Sequence, residues 1–146
     1  MEASVLASKS ATIERCIARA RGAYDNDLAG FSGDINRQDI AVLNIQRACE
    51  ACIDMGNFVI RRDRLGLPQS ARDIFALLAT GGVISADLAN RLERMVGYRN
   101  IAVHDYRKLS LQVTVSILIS HLDDFAAFSR EIMKAAGAKA PGNTRP

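Results

Sequence analysis

Residues 40–60 read IAVLNIQRACEACIDMGNFVI, and this stretch decides the fold. Its apolar residues recur at helical spacing and do not alternate as a strand would. On a helix at about 100° per residue with Asn44 at zero, Ile40, Ala41, Ala48, Ala51, Cys52, Met55, Phe58 and Val59 fall within about 80°. Val42, Ile45, Cys49, Ile53 and Ile60 carry the apolar arc on to about 180°. Gln46, Arg47, Glu50, Asp54, Asn57 and Arg61 fill the remaining sector. An arc of about 220° exceeds the stripe of about 100° that a surface helix needs. It suits the central helix of a bundle, or a helix that also meets a second subunit. Asn44 lies inside the arc and requires a hydrogen-bond partner, as a structural residue or as part of a site.

Working outward, the rest of the chain also reads as helix. A first helix is expected over about Glu2 to Tyr24, followed by DNDLAGFSGDINRQ, a loop rich in breakers. Asp34 or Asn36 caps the central helix, which runs to about Arg64. A short helix follows Pro68, from about Ser70 to Ala79, and Gly81 and Gly82 end it. Ser85 caps a fourth helix, with Asp87 in its first turn. A fifth runs from about Leu111 to Ala136. The expectation is one all-α domain over residues 1–136, an antiparallel bundle of four to five helices, with residues 137–146 as a flexible tail. There is no internal repeat and no low-complexity segment.

The bulk numbers bound the function. The chain has 146 residues, 49% of them hydrophobic and 24% charged, with a net charge of +3. That length supports a real core, and that charge is too small to argue for a polyanion partner by itself. No signal peptide opens the sequence and no apolar run reaches the roughly 18 residues of a membrane span, so a cytoplasmic protein with no membrane association is expected. The three cysteines are Cys16, Cys49 and Cys52. Cys49 and Cys52 form a CxxC without the strand-to-helix setting of a redox centre and without further zinc ligands. They read as buried, inert thiols.

The fourth helix ends in RNIAVHDY, residues 99–106. With Arg99 at zero, Leu88 and Leu92 lie within about 20°, and Met95, Val96 and Val103 within about 60°. Arg99 therefore stands on the apolar stripe. A guanidinium is rarely buried without a partner. It pairs with a buried carboxylate, or caps the stripe with its head in water, or faces a cleft where phosphate binds. His104 sits about 140° from Arg99, so the two cannot converge within one straight helix. Either the helix distorts near Val103 or a second copy of the chain completes the pair. Gly97 lies near His104 in angle, two turns earlier, where it leaves room for a ligand or a partner helix. His121 stands in a long helix without comparable neighbours and reads as an ordinary polar residue.

RNIAVHDY resembles the Arg, polar residue, three spacers, His, one spacer, Tyr pattern of HEPN-domain toxins of the HepT type. LNIQRACEACID, PQSARDIF and RLERMVGYRNIAVHDY resemble that family's segments in the same order, over roughly residues 2–133. The resemblance implies an α-helical bundle that forms a two-fold homodimer, with motif residues of both subunits lining one cleft. It implies a toxin that cleaves RNA without a metal or cofactor, silenced by an Mnt-type nucleotidyltransferase antitoxin that adenylates the motif tyrosine, here Tyr106. In that reading Arg99 and His104 are catalytic, and Asn100 and Tyr106 support them.

The residue types suit the chemistry. RNA carries its own nucleophile, the 2′-hydroxyl. Histidine exchanges protons near neutral pH, and arginine holds non-bridging phosphate oxygens as charge builds there. Arg94, Arg107 and Lys108 are candidates for contacting the RNA backbone, and Arg61, Arg62, Arg64 and Arg91 extend a possible basic rim. The alternatives are a non-catalytic helical module that binds a nucleotidyltransferase or a nucleotide, a metal-dependent phosphohydrolase built on His104 and Asp105, and a plain structural bundle.

Overall fold

A computed structural model describes residues 2–139. Among them, seven α-helices follow one another: α1 (Glu2–Tyr24), α2 (Leu28–Ser32), α3 (Ile35–Asp63), α4 (Ala71–Thr80), α5 (Ala86–His104), α6 (Leu111–Ser120) and α7 (Leu122–Lys139). A single 3-10 turn, Tyr106–Lys108, links α5 to α6. No strand occurs among the described residues. The all-α expectation holds, with more pieces than the four or five foreseen.

Local chemistry sets most helix starts. Asp34 accepts the backbone N–H of Asn36 and Arg37 and opens α3. Ser70 and Ser85 open α4 and α5 by accepting from Asp73 and Leu88. Each satisfies N–H groups that a helix start leaves orphaned. Arg64 closes α3 in the left-handed region, at φ 56°.

Two elements depart from the sequence reading. Within the expected loop, Asp27 accepts from Gly30 and starts the five-residue α2, which buries Phe31. The expected fifth helix is two helices, α6 and α7, bent by 51° at His121. Asp123 and Asp124 lie in the first turn of α7, where the helix dipole favours negative charge. Residues 137–139, expected in the tail, continue α7. The remainder of that tail lies outside the described residues.

α3 is the spine. Its buried side includes Ala41, Ile45, Ala48, Cys52, Met55 and Val59, and it packs against α1, α4, α5 and α7. Of its apolar arc only Ile40 is strongly exposed. The width of that arc is thus used within one chain, by a central helix with neighbours on several sides. α1 lies antiparallel to α3, since Lys9 reaches Asp54 while Arg37 donates to the carbonyls of Ala23 and Tyr24. Gly56 lets α4 press close, because a Cβ there would stand 2.7 Å from Ile74 Cγ2. Phe75 and Phe128 pack edge to face at 5.3 Å and tie α4 to α7, an arrangement worth about 1 kcal/mol beyond its area.

All three cysteines are buried and free. Burial pushes the Cys49 thiol up to about 12 and the Cys52 thiol well above its usual value. Both therefore stay protonated and unreactive near neutral pH.

Candidate active site

α5 runs antiparallel to α3, and two contacts hold them in register. Arg99 Nε donates to Glu50 Oε2 at 3.2 Å. Further along α5, past its end, the Tyr106 hydroxyl donates to Asp39 Oδ1. Between these contacts lies a strip of α3 and α5 surface that leaves Leu43 and Val103 exposed. His104 is the last residue of α5.

Arg99 emerges where the buried stripe of Leu88, Leu92, Met95 and Val96 reaches the surface; its side chain is 27% exposed. Arg99 Nη1 donates to Asn100 Oδ1 at 3.0 Å. Gln46 Nε2 donates to the same Glu50 oxygen at 3.4 Å. A pair this open to solvent contributes only about 0.2–1 kcal/mol to stability. Its consequence is geometric, since Glu50 and Asn100 fix the plane of the guanidinium and use two of its five N–H donors. Three remain for a ligand. Arg99 also opposes the burial effect on Cys49, without overcoming it.

His104 is exposed, and no hydrogen bond or ion pair involves its side chain among the described residues. Helical geometry persists to His104, and Asp105 caps α5 at φ −154°. The helix therefore does not distort to bring Arg99 and His104 together, and within one chain they point about 140° apart. Asp105 pairs with Lys108 at 3.4 Å. Among the described residues, no three or more His, Cys, Asp or Glu side chains cluster where a metal ion could be held.

Tyr106 lies outside α5, on the 3-10 turn, and is 44% exposed. Partial burial and then the Asp39 carboxylate hold its phenol above the ordinary tyrosine range. A groove of about 380 Å³ opens beside it, lined by Ile35, Gln38, Val42, Arg107, Leu109, Leu111 and Thr114. Thr114 shares a 2.7 Å hydrogen bond with the buried Tyr98 hydroxyl, and burial pushes that phenol up to about 12.

The basic residues do not form one rim. Arg107 and Lys108 stand on the turn beside Tyr106, and Arg94 is exposed on α5. Arg61 lines a different groove, with Val5, Lys9 and Asp54, between α1 and α3. Arg62 pairs with Asp63, and Arg64 caps the far end of α3. Arg91 is engaged by Asp87 and Asp124. The sequence reading missed Arg72, an exposed residue of α4. Its Nη2 lies 2.8 Å from where a Gly97 Cβ would stand, and its Nε donates to the Glu93 carbonyl. The room Gly97 leaves is thus taken by Arg72, on the same side of α5 as His104. Glu50 and Asp39 were also missed as site partners; both belong to the polar sector of α3, which was the available signal.

An antiparallel helical bundle carrying Arg-Asn-x3-His-x-Tyr at the end of a packed helix has the layout of a HEPN domain. The chain belongs to the ribonuclease HepT-like family, whose model matches residues 13–132. It is 47% identical over 131 residues to the mRNA nuclease HepT of Shewanella oneidensis, covering 90% of this chain and 97% of that protein. Its fold matches the tri-AMPylated HEPN toxin of Shewanella oneidensis in complex with its MNT antitoxin, with a TM-score of 0.84 and 46% identity over 90% of this chain and 97% of that one. A toxin–antitoxin complex with AMP-PNP matches with a TM-score of 0.85 and 45% identity, over 90% of this chain and 98% of that one.

Proposed function

We propose that this chain is the ribonuclease toxin of a toxin–antitoxin pair, a cytoplasmic homodimer that cuts RNA through the RNA's own 2′-hydroxyl. One observation carries the reading. α5 ends in an exposed histidine that no described residue engages, five residues beyond an arginine whose guanidinium is oriented by Glu50 and Asn100.

His104 serves as general acid or base, moving a proton at the 2′-hydroxyl or at the leaving 5′-oxygen. Arg99 binds the non-bridging phosphate oxygens with the donors that Glu50 and Asn100 leave over. Because the two side chains diverge around α5, a second copy related by two-fold symmetry supplies the complementary group. The exposed Leu43, Ile101 and Val103 beside the pair are apolar surface that such a copy would cover. Arg94, Arg107, Lys108 and Arg72 contact the RNA backbone. A nucleotidyltransferase antitoxin of the MNT type silences the enzyme by adenylating Tyr106, which puts negative charge and bulk beside the cleft.

The test is incubation of purified protein with RNA in EDTA. Cleavage giving a 2′,3′-cyclic phosphate is expected, with DNA of the same sequence resistant. His104→Ala should lower the rate by roughly 10²–10⁴-fold with the thermal melt unchanged. An inert wild-type protein that still binds a nucleotidyltransferase would favour the non-catalytic module.

A further inference from the structure

Tyr106 is anchored to α3 by one bond. Its hydroxyl donates to Asp39 Oδ1, across 67 residues of sequence. Both side chains are exposed. The fold gains little from such a contact, because exposed polar pairs contribute at most about 1 kcal/mol. The contact does hold a carboxylate against the one oxygen that becomes a nucleophile if Tyr106 is adenylated. The charged groups around the pair are Arg107, which lines the groove beside Tyr106, and the Asp105–Lys108 ion pair in the linking turn. Arg37, two residues before Asp39, is occupied by Asp27 and the carbonyls of Ala23 and Tyr24. Tyr98, which adds slightly to the rise of the Tyr106 phenol, is itself kept a neutral phenol by burial. None of these accepts a proton as readily as a free carboxylate, so Asp39 is the acceptor in place.

We propose that Asp39 is the proton acceptor for adenylation of Tyr106, so that the toxin supplies the base for its own silencing. This rests on the reading of Tyr106 as the adenylated residue. In the step, the phenolic oxygen attacks the α-phosphorus of ATP held by the nucleotidyltransferase. A phosphorus–oxygen bond to the tyrosine forms as the bond from the α-phosphorus to the bridging oxygen breaks. Pyrophosphate leaves with that electron pair, and the phenol proton passes to Asp39 Oδ1. Partial burial and the neighbouring carboxylate disfavour a preformed phenolate, so proton removal accompanies attack.

The same carboxylate then acts on the product. Adenylation removes the hydroxyl hydrogen that Asp39 accepts and replaces it with a phosphodiester anion. Once Asp39 has released its proton to water, attraction becomes repulsion between like charges. The modified side chain leaves α3, and Arg107 is the cation on that side of the turn.

The experiment mixes the purified chain with its nucleotidyltransferase antitoxin and ATP, and follows adenylation of Tyr106 by peptide mass spectrometry from pH 6 to pH 10. Wild type, Asp39→Asn and Asp39→Glu are compared, with thermal melts confirming that the variants fold. Asp39→Asn is expected to be modified on the order of 10²-fold more slowly at neutral pH. Its rate should climb about tenfold per pH unit as hydroxide takes over, and Asp39→Glu should recover part of the loss. A merely structural bond would not change the pH profile. Modification of Asp39→Asn at the wild-type rate with the wild-type profile overturns the base role alone. Absence of adenylate on wild-type Tyr106 overturns the reading of that tyrosine, and the base role with it.

Discussion

Two constellations of arginine, histidine and carboxylate meet α5, and they differ in what the fold leaves over. Near its start, Arg91 binds Asp87 at 3.2 Å and Asp124 at 3.1 Å, while His121 Nδ1 lies 3.3 Å from Asp124. Asp124 is 8% exposed, so its charge needs both neighbours. That network fastens α5 to the α6–α7 bend: arginine and histidine converge on one buried carboxylate, and among the described residues Arg91 Nε is left buried without an acceptor. At the other end, Glu50 accepts from Arg99 and Gln46 but meets no histidine, and His104 has no described partner. Similar side chains thus hold the fold in one place and stand ready for a ligand in the other. Residue type does not separate the two; the disposition of lone pairs and protons does.

The sharpest test of this contrast is Arg99→Lys. An ammonium keeps the charge but loses the flat fork, so cleavage is expected to fall roughly 10²–10³-fold. The thermal midpoint should hold, because the Arg99–Glu50 pair is worth little in folding. Arg91→Ala should do the reverse. It leaves Asp124 short of a counter-charge and costs about 2 kcal/mol, a fall of about 5 °C in the melt, with cleavage per folded molecule unchanged. Lost cleavage in folded Arg91→Ala, or full activity in Arg99→Lys, would erase the distinction. The smallest effect is reserved for Gly97→Ala. Its Cβ would displace the Arg72 guanidinium, raising KM for RNA about threefold and lowering the salt slope of binding by about 1. The helix itself gains up to about 1 kcal/mol from the change, so a weaker grip on RNA in a more stable protein is the signature sought.

The legible parts of this molecule were those decided within a few residues. Ser70 and Ser85 marked the starts of their helices, and Asp34 or Asn36 that of α3, because a cap is a bond between near neighbours; the structure uses Asp34. The apolar arc marked α3 as a helix with neighbours on more than one side without saying whether a second subunit was among them, and the inert cysteines followed from their company. RNIAVHDY was readable as a string, and it fixed the family. The break at His121 was missed although two adjacent aspartates marked a helix start, because the apolar pattern runs on through it. α2 was missed because five residues are too few for periodicity to register. The partners of the motif were beyond reach for a different reason. Glu50 meets Arg99 across 49 residues and Asp39 meets Tyr106 across 67. Such pairings depend on how helices are laid side by side, which no local window contains. The expected basic rim failed in the same way, since closeness in sequence said nothing about which end of the spine each arginine would occupy.

α3 also acts as a ruler. Asp39 and Glu50 are eleven residues apart on one rigid rod, which sets them about 16 Å apart along its axis. Adding a single amino acid between them would turn one about 100° relative to the other. Either the core face or one anchor of the strip would then be lost. Drift by insertion or deletion is therefore closed to this segment, while the turn at residues 25–27 can lengthen without disturbing the spacing. The interval between Asp39 and Glu50 is the dimension that any working variant of this protein must keep.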